Sequence, residues 1–420
     1  ALLPSFKRLD YIFGYSELSL RFPSILFGIG TIYLTFLICK RLKDDKLATL
    51  GIIFLATSPF HIYYSQEARM YSMAAFLAAV SIYALLTLLV TDKKIYWIVF
   101  SLSVTALIFT DYVPIFLFPV FLVTPLLRKK DFWWWSKFFF SFTPILAIGT
   151  FWLQTFFLQS EHGRWLLSAL PGWRELAGGA SLKQVVLVWM KFTLGRISFF
   201  NKGLYYSLVI ITSIPFIISI KSSIRSVSKV ISLWFLVPLT LGFVASFFFP
   251  AFIYFRFLFV LPAFYIITAW GINEFKNSQI QKLTIFLILA VNIIGLFIYY
   301  LDKNQQRENW REATMYVEQN SKPTDIVLFA YPEPFTPYRW YTKSKVNAVG
   351  ATDSISLSSD KTIQKTKRVL MGKKGIFYFE YLSDLSDPNS VIVNTIKNEG
   401  FMIKETRSFI GVGNVFYYSK

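Results

Sequence analysis

In 420 residues the sequence has one cysteine and two histidines, and it has fewer acidic than basic side chains, 24 Asp and Glu against 43 Lys and Arg. The single thiol, Cys39, sits inside an apolar run, so an intrachain disulfide is excluded and the chain carries no mark of its redox compartment. Two histidines, His61 and His162, with no Cys/His cluster, argue against a zinc centre. The carboxylates leave room for Mg²⁺ or Mn²⁺ without assigning either, so no cofactor is read here. Internal repeats and low-complexity tracts are lacking as well. The first residue is Ala1 and the first strong apolar run begins near Pro23, so no signal peptide is read, and the opening has the look of a fragment or a processed form.

Apolar side chains are in excess: 55% of residues are hydrophobic and 19% aromatic, and the mean hydropathy is +0.49. That is more than a water-soluble core of this length buries, which points to a bilayer as the solvent. The formal charge of +19 raises nucleic acid as a partner. A nucleic-acid footprint needs its basic residues clustered on one soluble face, and here they lie between hydrophobic runs, so nucleic acid is not expected.

Runs long enough to cross hydrocarbon fall near 23–39, 47–64, 70–90, 95–109, 112–127, 138–158, 204–220, 230–249, 254–272 and 283–300. Threaded alternately, they gather fifteen Lys and Arg against five Asp and Glu in the loops of one face, whereas the short turns opposite hold only Arg69 and Arg256. Basic loops mark the cytoplasmic side. The N-terminal stretch, the loop 159–202 and everything after Leu301 are then expected outside the cytoplasm of a plasma (inner) membrane protein. Trp165, Trp173 and Trp189 among charges suggest that 159–202 lies in the interface, as a lid or as an aromatic anchor.

After Asp302 the composition turns polar. Asn309 with Glu312 three residues on resembles a capping box, and β-rich runs follow at 326–330, 375–380, 401–406 and 415–418, with a helical pattern near 389–398. The expectation is therefore a polytopic α-helical membrane protein of about ten spans, residues 1–301, with a small C-terminal α/β domain at 302–420 outside the cytoplasm.

Charges at the ends of membrane helices are functional candidates. The densest group is Ser58 to Tyr71, SPFHIYYSQEARMY. Ser65 reads as the cap of the third helix, which would place Glu67 in its first turn, where a carboxylate suits the dipole. Arg69 there opposes the dipole and does not share a helical face with Glu67, so it is expected to need an anion from elsewhere, a phosphate or a lipid headgroup. Arg256 stands alone in an apolar stretch. Asp111 is read as a cap of the fifth helix, and His61 as hydrogen-bonded to a neighbour, with acid or base work the minority role.

The segments Glu17 to Gly28 (ELSLRFPSILFG) and Ser58 to Tyr71 resemble consecutive segments of the GT-C glycosyltransferases of the protein O-mannosyltransferase and aminoarabinose transferase type. The stretch from Pro250 through Arg256 to Pro262 is similar to their later outer-face Arg, and Asn309 to Phe329 to the entry of an extracytoplasmic domain in bacterial members. The resemblance implies a polyprenyl phosphate-linked sugar donor and a lipid, glycan or protein hydroxyl as acceptor. It implies Glu67 as the acidic site residue, Arg69 and Arg256 as phosphate contacts, and Tyr64, His61 and Asp111 as further substrate-binding residues. In that family a transmembrane helix, an outer loop with an acidic pair and a His-Pro segment come first. Ala1-Leu-Leu-Pro-Ser-Phe looks like sequence downstream of the helix and the acidic loop, which places the expected base upstream of Ala1. The rival reading is a transporter or lipid flippase, which calls for repeated halves and broken helices with polar residues near mid-membrane. Neither is read in this sequence. A non-enzymatic scaffold is the third.

Overall fold

The computed structural model describes residues 16–42, 45–170, 172–332, 334–343, 346–353, 355 and 359–420. The opening Ala1 to Phe6 and the loop residues Lys43 and Asp44 lie outside the described residues. Two compact units emerge, one of residues 1–156 with 177–301, the other of 157–176 with 302–420.

The first unit is helical. Helix α1 (Glu17–Arg41) starts where the Ser16 hydroxyl accepts the Ser19 N–H at 3.3 Å, and the i,i+4 pair Glu17–Arg21 reinforces its first turns. It is followed by α2 (Asp45–Thr57), α3 (Pro59–Ser65), α4 (Tyr71–Leu88) and α5 (Lys94–Thr110). A 3₁₀ turn (Val113–Leu117) leads into α6 (Phe118–Leu126), and α7 (Phe132–Phe140) into α8 (Thr143–Ala169). After the short α9 (Trp173–Ala177) come α10 (Leu182–Leu194), α11 (Lys202–Ser223) and α12 (Lys229–Ala245). A second 3₁₀ turn (Tyr254–Val260) feeds α13 (Leu261–Asn273), and α14 (Ser278–Leu301) closes the set.

Among the described residues, six helical stretches are long and apolar enough to cross a membrane, seven if the bent pair α2/α3 counts as one, and three shorter apolar helices accompany them. The run at 47–64, expected as one span, is broken, because α2 and α3 meet at 62°. The cause is local. Pro59 has no N–H to continue the helix and pushes Ser58 out of the helical region, and the Ser58 hydroxyl then accepts the His61 N–H at 3.3 Å to start α3 afresh.

Which helices are central follows from their faces. Every side chain of α13 from Leu261 to Ala269 is buried, the mark of a helix apolar all round and covered on every side. Gly271 lets α11 approach it: a Cβ there would stand 1.6 Å from the Ser219 carbonyl oxygen. In α8, by contrast, no residue is buried, and Phe151 is 91% exposed, as suits a helix facing hydrocarbon.

The second unit is built on a five-stranded sheet of order β2-β1-β3-β5-β4, with β1 (Asp325–Phe329), β2 (Ala348–Gly350), β3 (Gly375–Phe379), β4 (Met402–Phe409) and β5 (Gly413–Ser419). Strands β2, β1 and β3 run parallel, and β5 pairs antiparallel with β3 and β4. Alternation in β1 and β3 sends Ile326, Leu328, Ile376 and Tyr378 to one face, against Leu370 of α17 (Ser359–Leu370) and Ile392 and Ile396 of α19 (Val391–Asn398). The single turn α18 (Ser383–Ser386) precedes α19. Val327, Phe329, Phe377 and Phe379 face α15 (Trp310–Asn320) and Tyr338 of α16 (Phe335–Tyr341). Asn309 caps α15, accepting the Glu312 N–H at 3.2 Å. Leu170 belongs to this unit's core, with Leu166 and Trp173 packed against it.

Candidate active site

The break at Pro59 positions the candidate site. It sends α3 into a non-helical stretch, Gln66 to Met70, ahead of α4. Ser65 is the last residue of α3, not the cap of α4, and its hydroxyl turns back to the His61 carbonyl at 2.8 Å. Glu67 and Arg69 therefore sit in a turn, where the helical rule that separates i and i+2 side chains does not operate. They pair: Arg69 Nε is 3.2 Å from Glu67 Oε1, the carboxylate side chain 15% exposed and the guanidinium side chain 62% exposed. The expectation that Arg69 lacks Glu67 as a partner is thus corrected.

Around the pair stands an aromatic wall. Tyr64 and Tyr71 meet edge to face at 5.4 Å, and Phe255 lies 5.1 Å from Tyr71. The Tyr71 phenol hydrogen-bonds Arg69 and lies within electrostatic range of both Glu67 and Arg256. Arg256 occupies the first turn of the 3₁₀ segment and donates through Nη1 to the Pro250 carbonyl at 3.3 Å. Tyr71 thus bonds one arginine and lies within electrostatic range of the other.

Tyr64 is buried and spent on a hydrogen bond to Tyr254, with Glu67 close by. Asp111 ends α5, accepts the Val113 N–H at 3.0 Å and lies within range of Arg256; burial pushes its carboxyl above the usual range, against the pull of that hydrogen bond and of Arg256. His61 stands apart from this group, buried, with Nε2 3.2 Å from the Gly28 carbonyl of α1. Its neighbourhood is helix packing.

Sequence reading missed two cations. Arg196 lies over the Tyr63 ring at 4.6 Å and donates to its hydroxyl. Gly195 makes this approach feasible: at φ +82° its absent Cβ would sit 2.6 Å from Cβ of Pro59. Lys191 is buried nearby in the last turn of α10. Nothing in their local sequence signals a partner 133 positions away. Among the described residues no group of three His, Cys, Asp or Glu is arranged to hold a metal ion.

What the arrangement offers chemically is a carboxylate and two guanidinium groups beside phenols, in turns between membrane helices. Such a set suits a phosphate-bearing ligand with a hydroxyl-rich portion.

Residues 7–153 match the sequence profile of the family described as dolichyl-phosphate-mannose-protein mannosyltransferase. Among solved structures, the chain is similar to the crystal structure of ArnT from Cupriavidus metallidurans bound to undecaprenyl phosphate. The TM-score is 0.58 and the identity 10%, over 98% of this chain and 86% of that one. No curated protein matches the chain. The profile match covers α1 and the Glu67–Arg69 turn, about a third of the chain, and the fold likeness covers nearly all of it: the chain has an ArnT-like fold and, over residues 7–153, resembles that mannosyltransferase family.

Proposed function

We propose that the chain transfers a sugar from a polyprenyl phosphate-linked donor to a hydroxyl of a lipid, glycan or protein outside the cytoplasm. The observation that carries this reading is Tyr71, hydrogen-bonded to Arg69 and within range of Glu67 and Arg256. It gathers two cations and a carboxylate from segments far apart in sequence. ArnT, the similar protein, holds a lipid of the required class, undecaprenyl phosphate.

In the proposed reaction the acceptor oxygen attacks the anomeric carbon, the bond from that carbon to the phosphate oxygen breaks, and the lipid phosphate leaves with the electron pair. Arg69 and Arg256 stabilise the phosphate as its charge grows. Glu67 orients donor or acceptor. The proton of the acceptor goes to another carboxylate, outside the Glu67–Arg69 pair. Tyr64 and Tyr71 form the wall against which the donor lies.

The topology that goes with this reading has about ten spans, counting the bent pair and the shorter apolar helices, with basic loops in the cytoplasm and the sheet-bearing unit outside. Residues 302–420 then serve acceptor choice, since the candidate cations and Glu67 all lie in the helical unit.

The test is transfer of labelled sugar from a polyprenyl phosphate donor by the purified full chain in nanodiscs. Glu67→Gln should abolish transfer while polyprenyl phosphate still binds. Unchanged transfer in that variant would remove Glu67 from the site, and ATP- or gradient-driven movement of the lipid without sugar transfer would favour the flippase.

A further inference from the structure

We propose that Lys191 is a positioning residue: its buried ammonium ties the segment that carries Arg196 to the turn that carries Arg256. That the tie serves sugar transfer rests on the glycosyltransferase reading. The tie itself does not.

Lys191 is 7% exposed. Its Nζ donates to the Ile197 carbonyl at 3.2 Å and reaches the Tyr205 hydroxyl at 3.4 Å. The ammonium also lies over two rings, 5.8 Å from the centroid of Tyr205 and 5.9 Å from that of Tyr254. Ile197 directly follows Arg196, and Tyr254 stands two residues before Arg256. Residues 195–201 and 250–253 are neither helix nor strand, so neither segment is fixed by a backbone ladder of its own. Tyr254 in turn hydrogen-bonds Tyr64, in the wall of the site. One side chain therefore connects both irregular segments to the aromatic wall.

A buried ammonium is costly unless its donors and charge are used. An aliphatic side chain of equal length would fill the same space without that cost. What it could not do is hold a carbonyl and attract the faces of two phenols.

The titratable groups on the elements packed around Lys191 are Lys202, Tyr205, Tyr206 and Lys221 of α11, His61, Tyr63 and Tyr64 of α3, Tyr254 and Arg256 of the 3₁₀ turn, and Lys282, Tyr299 and Tyr300 of α14. None of these is a carboxylate. Burial, with Lys202 adding to it, lowers the Lys191 ammonium to about 8. Above that pH the amine loses its charge and one donor, and the tie loosens. Stability moves the opposite way. A lysine whose folded value is depressed binds its proton more tightly in the unfolded chain, so the fold gains stability as pH rises from about 8 towards the ordinary lysine value of about 10.4. A merely structural lysine would show only the second effect, whereas a positioning lysine loses transfer over the same interval.

The experiment uses the full chain in nanodiscs. Hydrogen exchange of the amides at 195–201, corrected for intrinsic rate, is compared at pH 7 and pH 9 for wild type, Lys191→Met and Lys191→Arg, with kcat and KM for a polyprenyl phosphate sugar donor measured alongside. Protection should fall about tenfold in wild type at pH 9, where about a tenth of the ammonium remains charged, and by at least as much in Lys191→Met already at pH 7. Lys191→Arg, charged at both, should keep it. The value of kcat should follow protection, with KM little changed. Unaltered protection in Lys191→Met overturns the tie, and if that variant fails to fold, flat protection of wild type between pH 7 and 9 does the same. Lost protection with unchanged kcat overturns the positioning role. No transfer by wild type from any polyprenyl phosphate donor would sink the glycosyltransferase reading and leave the exchange result to decide the tie.

Discussion

Arg69 Nε lies 3.2 Å from Glu67 Oε1, a pairing available only because the chain between Ser65 and Tyr71 is not helical. The carboxylate is largely covered and the guanidinium largely exposed, so the pair presents its cation outward. Tyr71 hydrogen-bonds that cation and lies within electrostatic range of Arg256.

From this geometry, Arg69→Lys and Arg256→Lys should each weaken binding of polyprenyl phosphate about tenfold, the loss of about 1.4 kcal/mol expected when a forked, charge-assisted contact becomes a point charge. Lys276→Ala, on the opposite set of loops, should leave it unchanged. Titration of nanodisc-embedded protein with a short-chain polyprenyl phosphate measures all three. Normal binding by both Lys variants would assign the two arginines to lipid headgroups instead.

Asp111 gives a prediction in pH. Its carboxyl is raised by burial, so its contribution to stability is fully present below the ordinary unfolded value of about 3.9 and is lost as pH rises through the folded value. At pH 7 the ionised group is therefore a burden. Asn keeps an oxygen for the Val113 N–H, 3.0 Å away, and carries no charge. Asp111→Asn should unfold at the same or a higher temperature than wild type at pH 7, with the difference vanishing towards pH 4, and should bind polyprenyl phosphate at least as well. A clear drop in melting temperature at pH 7 would mean instead that the carboxylate supports Arg256.

Much of this architecture is legible in the sequence, for reasons that also explain what is not. The run that became α13 is apolar all round, and that is how a central helix reads. Asn309 with Glu312 marks the start of α15, and β-rich runs mark β1, β3, β4 and β5. The break at Pro59 is also available, since Pro disfavours helix at the residue before it, but apolar residues resume directly after it, so 47–64 reads as one span. Ser65 followed by Glu67 imitates a cap, so a turn was read as a first helical turn. Arg196 on Tyr63 and Lys191 on Tyr254 are long-range meetings that no local period encodes. The inclusion of 157–176 in the sheet-bearing unit is of the same kind.

Topology is open to a direct check. Under the alternation of Lys and Arg, everything after Leu301 faces outward. Protease added to spheroplasts should trim the chain beyond Asp302, at exposed Lys303 first, and leave the basic loop at Arg128 to Lys130 intact. The reverse pattern, with cleavage only in inverted vesicles, would turn the whole molecule over and place the Glu67–Arg69 turn in the cytoplasm.

Two glycines at positive φ differ in what an added side chain would meet. Gly372 has φ +75° with nothing within 4 Å of where a Cβ would stand, whereas Gly195 has φ +82° and would place its Cβ 2.6 Å from Pro59. Both substitutions put a side chain at positive φ, and the strain is greater at Gly195, whose ψ of −166° lies in a region that is essentially glycine's alone and costs about 1–3 kcal/mol. Only Gly195→Ala must also push the chain off the start of α3, which moves the neighbouring Arg196 from the Tyr63 ring. Gly372→Ala should therefore lower the melting temperature modestly and leave transfer and polyprenyl phosphate binding as in wild type. Gly195→Ala should lose more stability, by about 1–3 kcal/mol for the added overpacking, and should also lose transfer in the fraction that remains folded. Transfer per folded molecule, rather than the difference in stability, therefore reports the position of Arg196. Equal transfer per folded molecule would show that the contact of Arg196 with Tyr63 has no part in the reaction.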